Sequence, residues 1–278
     1  MKLKELPKSI KKSISLSLLS LEELEDQNKK RIPVIVSLTT IPSRVRTLHI
    51  TIRSLLNQDT LPEKIVLWLN DSYKNKVPRK LQKLTGNTFE IRFSEYTFSH
   101  RKLIHSLQAF KNKAIVTVDD DLIYHREFLK LLYIEHLKNP NVVIGNRCRE
   151  ISYNEEGNIL PYLKWPFLNG ENRNYNKKLL MPVGAFGVIY PANVLNDNVH
   201  NIDLFNKLSP KSDDLWFKTM TLLNNNLSIQ AENKAPDPTP IIATQGISLK
   251  KINNKLDYKR VQWEQITKHF NLSFNHGI

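Results

Sequence analysis

Residues 114–121 read AIVTVDDD, a run typical of a buried strand that is followed at once by three aspartates. In open α/β sheets the ligand crevice lies beyond the carboxyl ends of the strands, where these carboxylates would stand. Because side chains alternate along an extended chain, we expect Asp119 and Asp121 to point to one side and Asp120 to the other. Converging carboxylates repel unless a cation lies between them, and oxygen ligands suit Mg²⁺ or Mn²⁺. The stretch predicts a site for a divalent metal and a diphosphate; a polar strand end that caps the next helix is the alternative.

Strand-like runs alternate with helix-like stretches around this motif, which predicts an α/β sheet built from successive crossover units. The predicted strands are 33–40, 64–69, 89–93, 114–118, 141–145 and 184–191. The predicted helices are 45–57, 77–84, 101–110, 127–137, 213–223 and 257–270. Residues 151–182 follow neither pattern, and residues 232–240 contain three prolines. We therefore expect a single large domain whose second half is less regular.

The composition bounds the class of protein. Of 278 residues, 40% are hydrophobic and 24% are charged, as in soluble globular proteins and unlike disordered or collagen-like chains. The single cysteine, Cys148, excludes an intramolecular disulfide and a cysteine zinc cluster and favours a reducing compartment. Apolar runs such as 65–69 fall far short of the ~20 residues that span a bilayer, and the N-terminus lacks the pattern of a signal peptide. These features predict a cytoplasmic protein.

Positive charge dominates the chain, with 41 Lys and Arg against 27 Asp and Glu and a formal net charge of +14. Such a balance indicates anionic partners without naming them. Residues 1–12 hold five lysines, and apolar residues follow at steps of three or four: Ile10, Ile14, Leu18, Leu21 and Leu24. The pattern predicts a basic amphipathic segment over residues 1–30. It would either lie on an anionic membrane surface, each lysine adding ~1 kcal/mol, or pack on the domain with its lysines solvated.

Five segments together resemble a known enzyme class. They are VSLTTIPSR (36–44), IRSLLNQDTLPEKIVLWLND (52–71), HRKLIHSLQAFKNKAIVTVDDD (100–121), GAFGVIYP (184–191) and KSDDLWF (211–217). Their order and spacing over residues 33–225 resemble GT-A-type glycosyltransferases, which use nucleotide sugars and carry an acidic Asp-any-Asp metal motif. The chain is also similar to bacterial surface-polysaccharide enzymes and to the exostosin-like branch. The resemblance implies a GT-A Rossmann-like sheet with helices on both faces, a nucleotide-sugar-binding half (31–146) and an acceptor-binding half with the C-terminal helix (147–278).

The resemblance also implies roles for residues that precede the aspartates. Thr39 and Arg44 would hold the nucleotide base and phosphates, and Asp71 would read the uracil ring. Arg101 and Lys102 would lie over the nucleotide, although solvated surface charges are the alternative for both.

At the aspartates themselves, the resemblance implies that Asp119 binds the ribose or supports the ion, that Asp120 touches the donor sugar and that Asp121 binds Mn²⁺ or Mg²⁺ directly. His276 resembles a C-terminal histidine that completes the metal shell in some members. Gly184 would let the backbone approach the sugar closely, and a simple turn would explain it equally well.

A second acidic pair, Asp213 and Asp214, begins a predicted helix. Ser212 or one carboxylate would satisfy the helix N-terminus, which does not need two. The resemblance implies that the pair faces the acceptor hydroxyl, where a carboxylate removes the proton as the new bond forms. This role assumes inversion at the anomeric carbon; in a retaining enzyme the pair would bind the acceptor or stabilise an oxocarbenium-like state.

These observations predict a metal-dependent glycosyltransferase that moves a sugar, expected to come from a UDP-sugar, to a glycan or lipid-linked glycan acceptor. The process would be the synthesis of surface polysaccharide or lipooligosaccharide at the inner face of the membrane. One alternative is a basic nucleic-acid-binding protein, but no zinc finger or helix-turn-helix pattern supports it, and we expect no nucleic acid partner. The other is a nucleotidyltransferase that makes sugar nucleotides, but LTTIPSR (38–44) lacks the glycine-rich loop that this chemistry needs.

Overall fold

The computed structural model describes residues 5–26, 28–169, 175–242, 244 and 257–274. Strands and helices are numbered in chain order over these residues. The strands are β1 (Arg31–Thr39), β2 (Leu61–Asn70), β3 (Phe89–Ser94), β4 (Ala114–Thr117), β5 (Leu122–Ile123), β6 (Val143–Gly145), β7 (Cys148–Glu150), β8 (Leu180–Pro182), β9 (Val188–Tyr190), β10 (Ser228–Gln230) and β11 (Thr239–Pro240). The helices are α1 (Leu6–Leu18), α2 (Leu21–Leu24), α3 (Leu48–Leu56), α4 (Arg79–Gln82), α5 (Arg101–Ala109), α6 (Phe128–Lys138), α7 (Ile202–Leu208), α8 (Asp213–Leu223) and α9 (Tyr258–His269).

A seven-stranded sheet forms the centre of the molecule, in the order β10-β6-β9-β4-β1-β2-β3. Strand β9 runs antiparallel to β4 and β6, and the other neighbours are parallel. The carboxyl ends of β1, β2 and β4 therefore meet at one edge. The α/β prediction, with a GT-A Rossmann-like sheet, is confirmed.

Alternate residues of the central strands feed two separate hydrophobic layers, as the two-residue period of a strand requires. On β1, Val34 and Val36 pack in the layer that contains Ile52 of α3, while Ile35 packs in the layer that contains Leu103 of α5. All these side chains are buried. Covering both faces explains why the central parts of β1, β2 and β4 are mostly apolar. It also holds in place the strand ends beside which the candidate site lies.

The second half of the chain departs most from the predicted elements. Residues 184–191, predicted as one strand, form a 3₁₀ turn (Gly184–Phe186) followed by β9. Gly187 joins the two with a φ of 91°, and a Cβ there would lie 2.4 Å from the ring of Phe128. Only glycine fits both constraints. Strand β9, which follows Gly187, lies antiparallel between β4 and β6. Strands β7 and β8 form a separate antiparallel ribbon that the sequence pattern did not predict.

Helix α1 packs on the domain through one face and exposes another. Ser9 and Leu16 are buried, and the Ser9 hydroxyl donates a hydrogen bond to the carbonyl of Pro240. Ile14 and Leu18 remain 55% and 79% exposed. Over the described residues, none of the helices is both long enough and apolar enough to cross a bilayer.

One buried cation lies outside the site described below. Lys218 of α8 is 1% exposed, and its Nζ lies 3.4 Å from the hydroxyl of Ser228. Within the described part of the chain, no carboxylate forms an ion pair with it. Burial lowers the pKa of Lys218 to about 7, against its ordinary value of 10.5. Between about pH 7 and pH 10.5 the unfolded chain therefore holds a proton that the folded chain has released.

Replacing Lys218 with Met is expected to raise the free energy of unfolding at pH 7 by about 1–4 kcal/mol, because it removes the cost of burying an amine without a carboxylate partner. For the wild type, stability should rise with pH between about 7 and 10.5, and K218M should lack that part of the slope. Urea unfolding across this pH range measures both the free energy of unfolding at pH 7 and its slope with pH. Lys130→Met, at an exposed position of α6, is the control and should change stability by less than about 0.5 kcal/mol. A destabilised K218M would contradict the interpretation.

Candidate active site

The three aspartates after β4 lie where the chain turns away from the sheet. Strand β4 ends at Thr117, and residues 120–121 form a turn that leads into β5. The Arg44 guanidinium lies between two of the carboxylates, with Nη1 2.7 Å from Asp120 Oδ1 and Nη2 3.1 Å from Asp121 Oδ2. Since one guanidinium reaches both, the expected alternation of Asp120 and Asp121 to opposite sides is wrong. The reason is the turn, because alternation requires an extended chain.

The loop after β1 is held in place by Arg101. Its guanidinium donates hydrogen bonds to the hydroxyl of Thr39 and to the carbonyls of Thr40 and Tyr96, and the residue is only 2% exposed. Burial lowers the pKa of Arg101 to about 10, and Asp120 opposes that effect. The Thr40 hydroxyl in turn donates to Asp120 Oδ2 at 2.5 Å. Arg101, expected over the nucleotide, therefore supports the loop that faces the aspartates.

Lys102 joins the two acidic motifs of the sequence. Its Nζ lies 3.0 Å from Asp119 Oδ1 and 2.9 Å from Asp213 Oδ2, and its side chain is 7% exposed. Burial opposes the positive charge, but the neighbouring carboxylates outweigh this cost and hold the pKa of Lys102 well above its ordinary value. One buried ammonium thus brings together two carboxylates that are 94 positions apart in the sequence. Asp119 follows the carboxyl end of β4, and Asp213 begins α8.

Asp214 is fixed by two donors from different parts of the chain. The backbone N–H of Gly184 donates to its Oδ1 at 3.1 Å, and Lys259 Nζ of α9 lies 2.9 Å from its Oδ2. A Cβ on Gly184 would lie 2.9 Å from Asp214 Oδ1. Any side chain at position 184 would therefore push on the carboxylate. Ser212, considered as a helix cap, makes no side-chain capping bond to α8.

The two carboxylates of α8 differ in their pKa. Burial alone would raise the pKa of Asp213, but the charge of Lys102 outweighs it, so Asp213 stays ionised. Burial raises the pKa of Asp214, Lys259 lowers it and the charge on Asp213 raises it again, with a net upward shift. Asp214 is therefore the stronger base of the pair, because a carboxylate with a higher pKa binds a proton more strongly.

Tyr124 connects the aspartate turn to the Gly184 loop. Its hydroxyl accepts a hydrogen bond from the backbone N–H of Asp119 at 2.9 Å and donates one to the carbonyl of Ala185 at 3.1 Å. The side chain is buried, which raises the pKa of Tyr124 well above its ordinary value and keeps the phenol protonated. This neutral hydroxyl group therefore links the two halves of the site in addition to the ammonium of Lys102.

Most of the residues singled out in the sequence meet here, through the contacts of Arg44, Lys102, Gly184 and the five aspartates. Thr39 lies at the edge of this group, and its hydroxyl donates to the carbonyl of Trp68.

Asp71, expected to read the uracil, is exposed at the end of β2 and pairs with Lys74 at 3.0 Å. His276 lies outside the described residues.

Three contributors were missed by the sequence analysis: Thr40, Tyr124 and Lys259. Thr40 and Tyr124 stand beside predicted site residues, but their side chains carry no charge that would single them out. Lys259 belongs to a run of basic residues near the C-terminus, and only the packing of α9 on α8 distinguishes it from a solvated lysine.

The donor groups fit a hard divalent cation that a substrate helps to bind. Over the described residues, no three His, Cys, Asp or Glu side chains converge as an all-protein metal cage. Five carboxylates share the three cations Arg44, Lys102 and Lys259 in ion pairs, so negative charge is in excess even if Arg101 is counted. Mg²⁺ is commonly bound by one or two carboxylates together with substrate phosphates. Such an ion would compete with Lys102 for Asp119 and with Arg44 for Asp121.

The family model described as glycosyl transferase family 2 matches residues 41–190. No curated protein matches the chain. Similar solved structures include a CMP:2-keto-3-deoxy-manno-octonic acid synthetase complexed with CTP (11% identity, 83% of this chain, 100% of that chain, TM-score 0.43). Another is 4-diphosphocytidyl-2C-methyl-D-erythritol synthase from Anaerococcus prevotii (13% identity, 82% of this chain, 98% of that chain, TM-score 0.46). A third is glucosyl-3-phosphoglycerate synthase from Mycobacterium tuberculosis in complex with Mn²⁺, UDP-glucose and phosphoglyceric acid (18% identity, 46% of this chain, 48% of that chain, TM-score 0.32).

Proposed function

The chain belongs to glycosyl transferase family 2, and on this basis we propose that it transfers a sugar from a uridine diphosphate donor to a glycan acceptor. The observation that carries the proposal is the position of Lys102. Its ammonium contacts Asp119, from the motif expected to bind the donor, and Asp213, from the motif expected to face the acceptor. Transfer needs both substrates at one point, and these contacts support a single site for both.

The donor is assigned to the half of the molecule that ends at residue 146. Thr39, Arg44 and Asp71 would contact the nucleotide, and Asp120 the donor sugar. Asp119 and Asp121 would hold Mn²⁺ or Mg²⁺, which, when bound, offsets the negative charge that grows on the leaving diphosphate. The half-buried Arg44 and the buried Lys102 supply further positive charge at the same edge of the sheet.

The acceptor is assigned to the half that follows residue 146, where Asp214 is the proposed general base. In a displacement with inversion, the acceptor oxygen forms a bond to the anomeric carbon and gives its proton to the Asp214 carboxylate. The bond from that carbon to the diphosphate oxygen breaks, and its electron pair leaves with the nucleotide. Gly184 and Lys259 hold the carboxylate in place during this step, while Asp213 keeps Lys102 charged. We assign the product to surface polysaccharide or lipooligosaccharide.

The proposal is tested with a panel of nucleotide sugars. A donor that binds the folded protein in the presence of Mn²⁺ raises its melting temperature, and uridine diphosphate sugars should give the largest shifts. Product analysis should then find released uridine diphosphate. Release of pyrophosphate would instead identify a nucleotidyltransferase, and salt-dependent binding to DNA or RNA without a donor shift would identify a nucleic-acid-binding protein.

The exposed apolar stripe of α1 and α2 supports the proposal that the enzyme contacts an anionic membrane surface. Its apolar members, from 43% to 79% exposed, are Ile10, Ile14, Leu18 and Leu21. Lys8 and Lys11 are exposed on the same helix. An amphipathic helix of this kind buries its apolar side chains at the headgroup boundary while its lysines contact anionic lipids. The contact would bring the enzyme to a lipid-linked acceptor.

Ile14→Glu combined with Leu18→Glu is expected to weaken binding to phosphatidylglycerol-containing vesicles at least tenfold, as measured by co-sedimentation. The control is Leu137→Glu, because Leu137 is 61% exposed on α6 and its replacement should leave binding unchanged. Equal binding of the wild type to anionic and neutral vesicles would contradict a role for the lysines, and unchanged binding of the double variant would contradict the whole assignment.

A further inference from the structure

Two arginines at the start of the ribbon of β7 and β8 stack on aromatic rings of the loop between these strands and of the 3₁₀ turn that follows β8. Arg147 Cζ lies 4.9 Å from the ring centroid of Phe167 and 5.4 Å from that of Phe186. Arg149 Cζ lies 4.0 Å from the centroid of Phe167 and 4.9 Å from that of Tyr162. We call these five half-buried residues the arginine wall.

Each end of the arginine wall is linked to the proposed base through a residue that binds the Asp214 carboxylate. At one end, Lys259 Nζ lies 4.9 Å from the Tyr162 ring centroid and 2.9 Å from Asp214 Oδ2. At the other end, Phe186 closes the 3₁₀ turn that begins with Gly184, whose N–H donates to Asp214. A group bound along the wall would therefore lie beside the hydroxyl that Asp214 deprotonates.

Positive charge on the arginine wall is only partly compensated. Arg147 pairs with Asp237 at 2.6 Å, but that carboxylate is 47% exposed, and exposed pairs contribute little stability. Arg149 donates to the carbonyl of Trp165, and in the described part of the chain no carboxylate lies within ion-pairing distance of it. Two guanidinium groups lie on one ring, Phe167, and Asp237 offsets their mutual repulsion only in part, so a further anion near them would be stabilising.

A purely structural role would be to pack the loop onto the ribbon, where Arg149 and Phe167 already form an antiparallel bridge. That role needs apolar side chains and does not require two like charges on the same ring. A guanidinium stacked on an aromatic face has its orientation fixed and keeps N–H edges for bidentate contact with a phosphate or a carboxylate. The arrangement is suited to an anion.

From these contacts we propose that the arginine wall binds a negatively charged group, a phosphate or a carboxylate, on the acceptor sugar next to the hydroxyl that is glycosylated. This inference rests on the proposed function, since it assigns the chemical class of the acceptor to the side of the site that Asp214 faces. It makes charge on the acceptor a condition for tight binding.

The test compares the binding of glucose 6-phosphate, glucuronic acid and glucose by saturation-transfer NMR in the presence of uridine diphosphate. The wild type should bind at least one of the charged sugars at least ten times more tightly than glucose. Whichever charged sugar binds more tightly distinguishes a phosphate from a carboxylate. Arg149→Gln should reduce this preference at least tenfold, and Arg147→Gln provides a second test should the first variant fail to fold, as judged by circular dichroism.

Arg92→Gln is the matched control. Arg92 also lies over aromatic rings, 4.6 Å from the centroid of Phe110 and 5.8 Å from that of Trp68, but it pairs with Glu90 on β3. This variant should keep the wild-type preference. Equal binding of all three sugars would overturn the inference, and so would a preference for a charged sugar that survives in a folded R149Q or R147Q. In either case, release of uridine diphosphate by the wild type would still support the proposed function. Absence of that release would overturn both.

Discussion

Asp214→Asn is expected to lower kcat for sugar transfer by about 10²–10⁴-fold, the usual contribution of a general base. An amide can accept the hydrogen bond from Gly184, but it cannot take the proton of the acceptor hydroxyl. Binding of the uridine diphosphate donor should change little, because Asp214 faces the acceptor in the proposed site. Steady-state kinetics together with thermal shift by the donor separates these two quantities.

The pH dependence gives an independent check on the same residue. Transfer requires ionised Asp214, so kcat should fall as the pH is lowered through the pKa of this group. Because that pKa is raised by burial and by the charge on Asp213, the fall should occur at a higher pH than for an ordinary aspartate. Lys259→Met removes the charge that lowers the pKa and should move the fall to still higher pH.

Two other aspartates show whether the loss is specific. Asp213→Asn should lose less activity than D214N if Asp213 mainly keeps Lys102 in place, and Asp203→Asn, at an exposed position of α7, should be indistinguishable from the wild type. A folded D214N with wild-type kcat would remove Asp214 from the mechanism, and a larger loss in D213N would transfer the role of base to its neighbour.

The sequence was sufficient to predict the fold of the first half because each signal there is local. The apolar residues of β1 face both layers, so Val34 and Ile35 alike had to be buried, and this marks a strand inside a two-sided sheet. The position of the aspartates at the end of β4 followed from the same pattern. The edge of the sheet that carries the candidate site was therefore predictable.

The details of that site were not predictable, because they depend on where distant segments pack. Lys102 and Arg101 are adjacent in the sequence and were given one role, yet one bridges two carboxylates and the other holds the loop after β1. Lys259 has the composition of a surface residue and becomes a site residue only because α9 packs against α8. The turn at 120–121 also depends on tertiary contacts, since Arg44 and Thr40 reach it from another loop.

Removal of divalent cations by EDTA is expected to lower transfer at least about 100-fold, with recovery on addition of Mn²⁺, because the diphosphate leaves with negative charge that the carboxylate-rich edge cannot offset. Asp121→Asn should cause a loss of the same order, since Asp121 is the residue assigned to direct metal binding. The readout that does not depend on activity is Mn²⁺ binding in the presence of uridine diphosphate, followed by electron paramagnetic resonance, and D121N should weaken it at least about tenfold.

Competition within the site sharpens this prediction. Arg44 lies 3.1 Å from Asp121, so a metal must displace part of that ion pair, and Arg44→Gln should bind Mn²⁺ more tightly while it binds the donor more weakly. Asp59→Asn is the matched control for Asp121→Asn and should leave Mn²⁺ binding unchanged. Asp59 also forms an ion pair with an arginine, Arg126 at 2.8 Å, but this pair lies outside the proposed site. Full activity in EDTA together with full activity of D121N would show that the cations of the protein itself, Arg44 and Lys102, offset the charge of the leaving diphosphate without a metal.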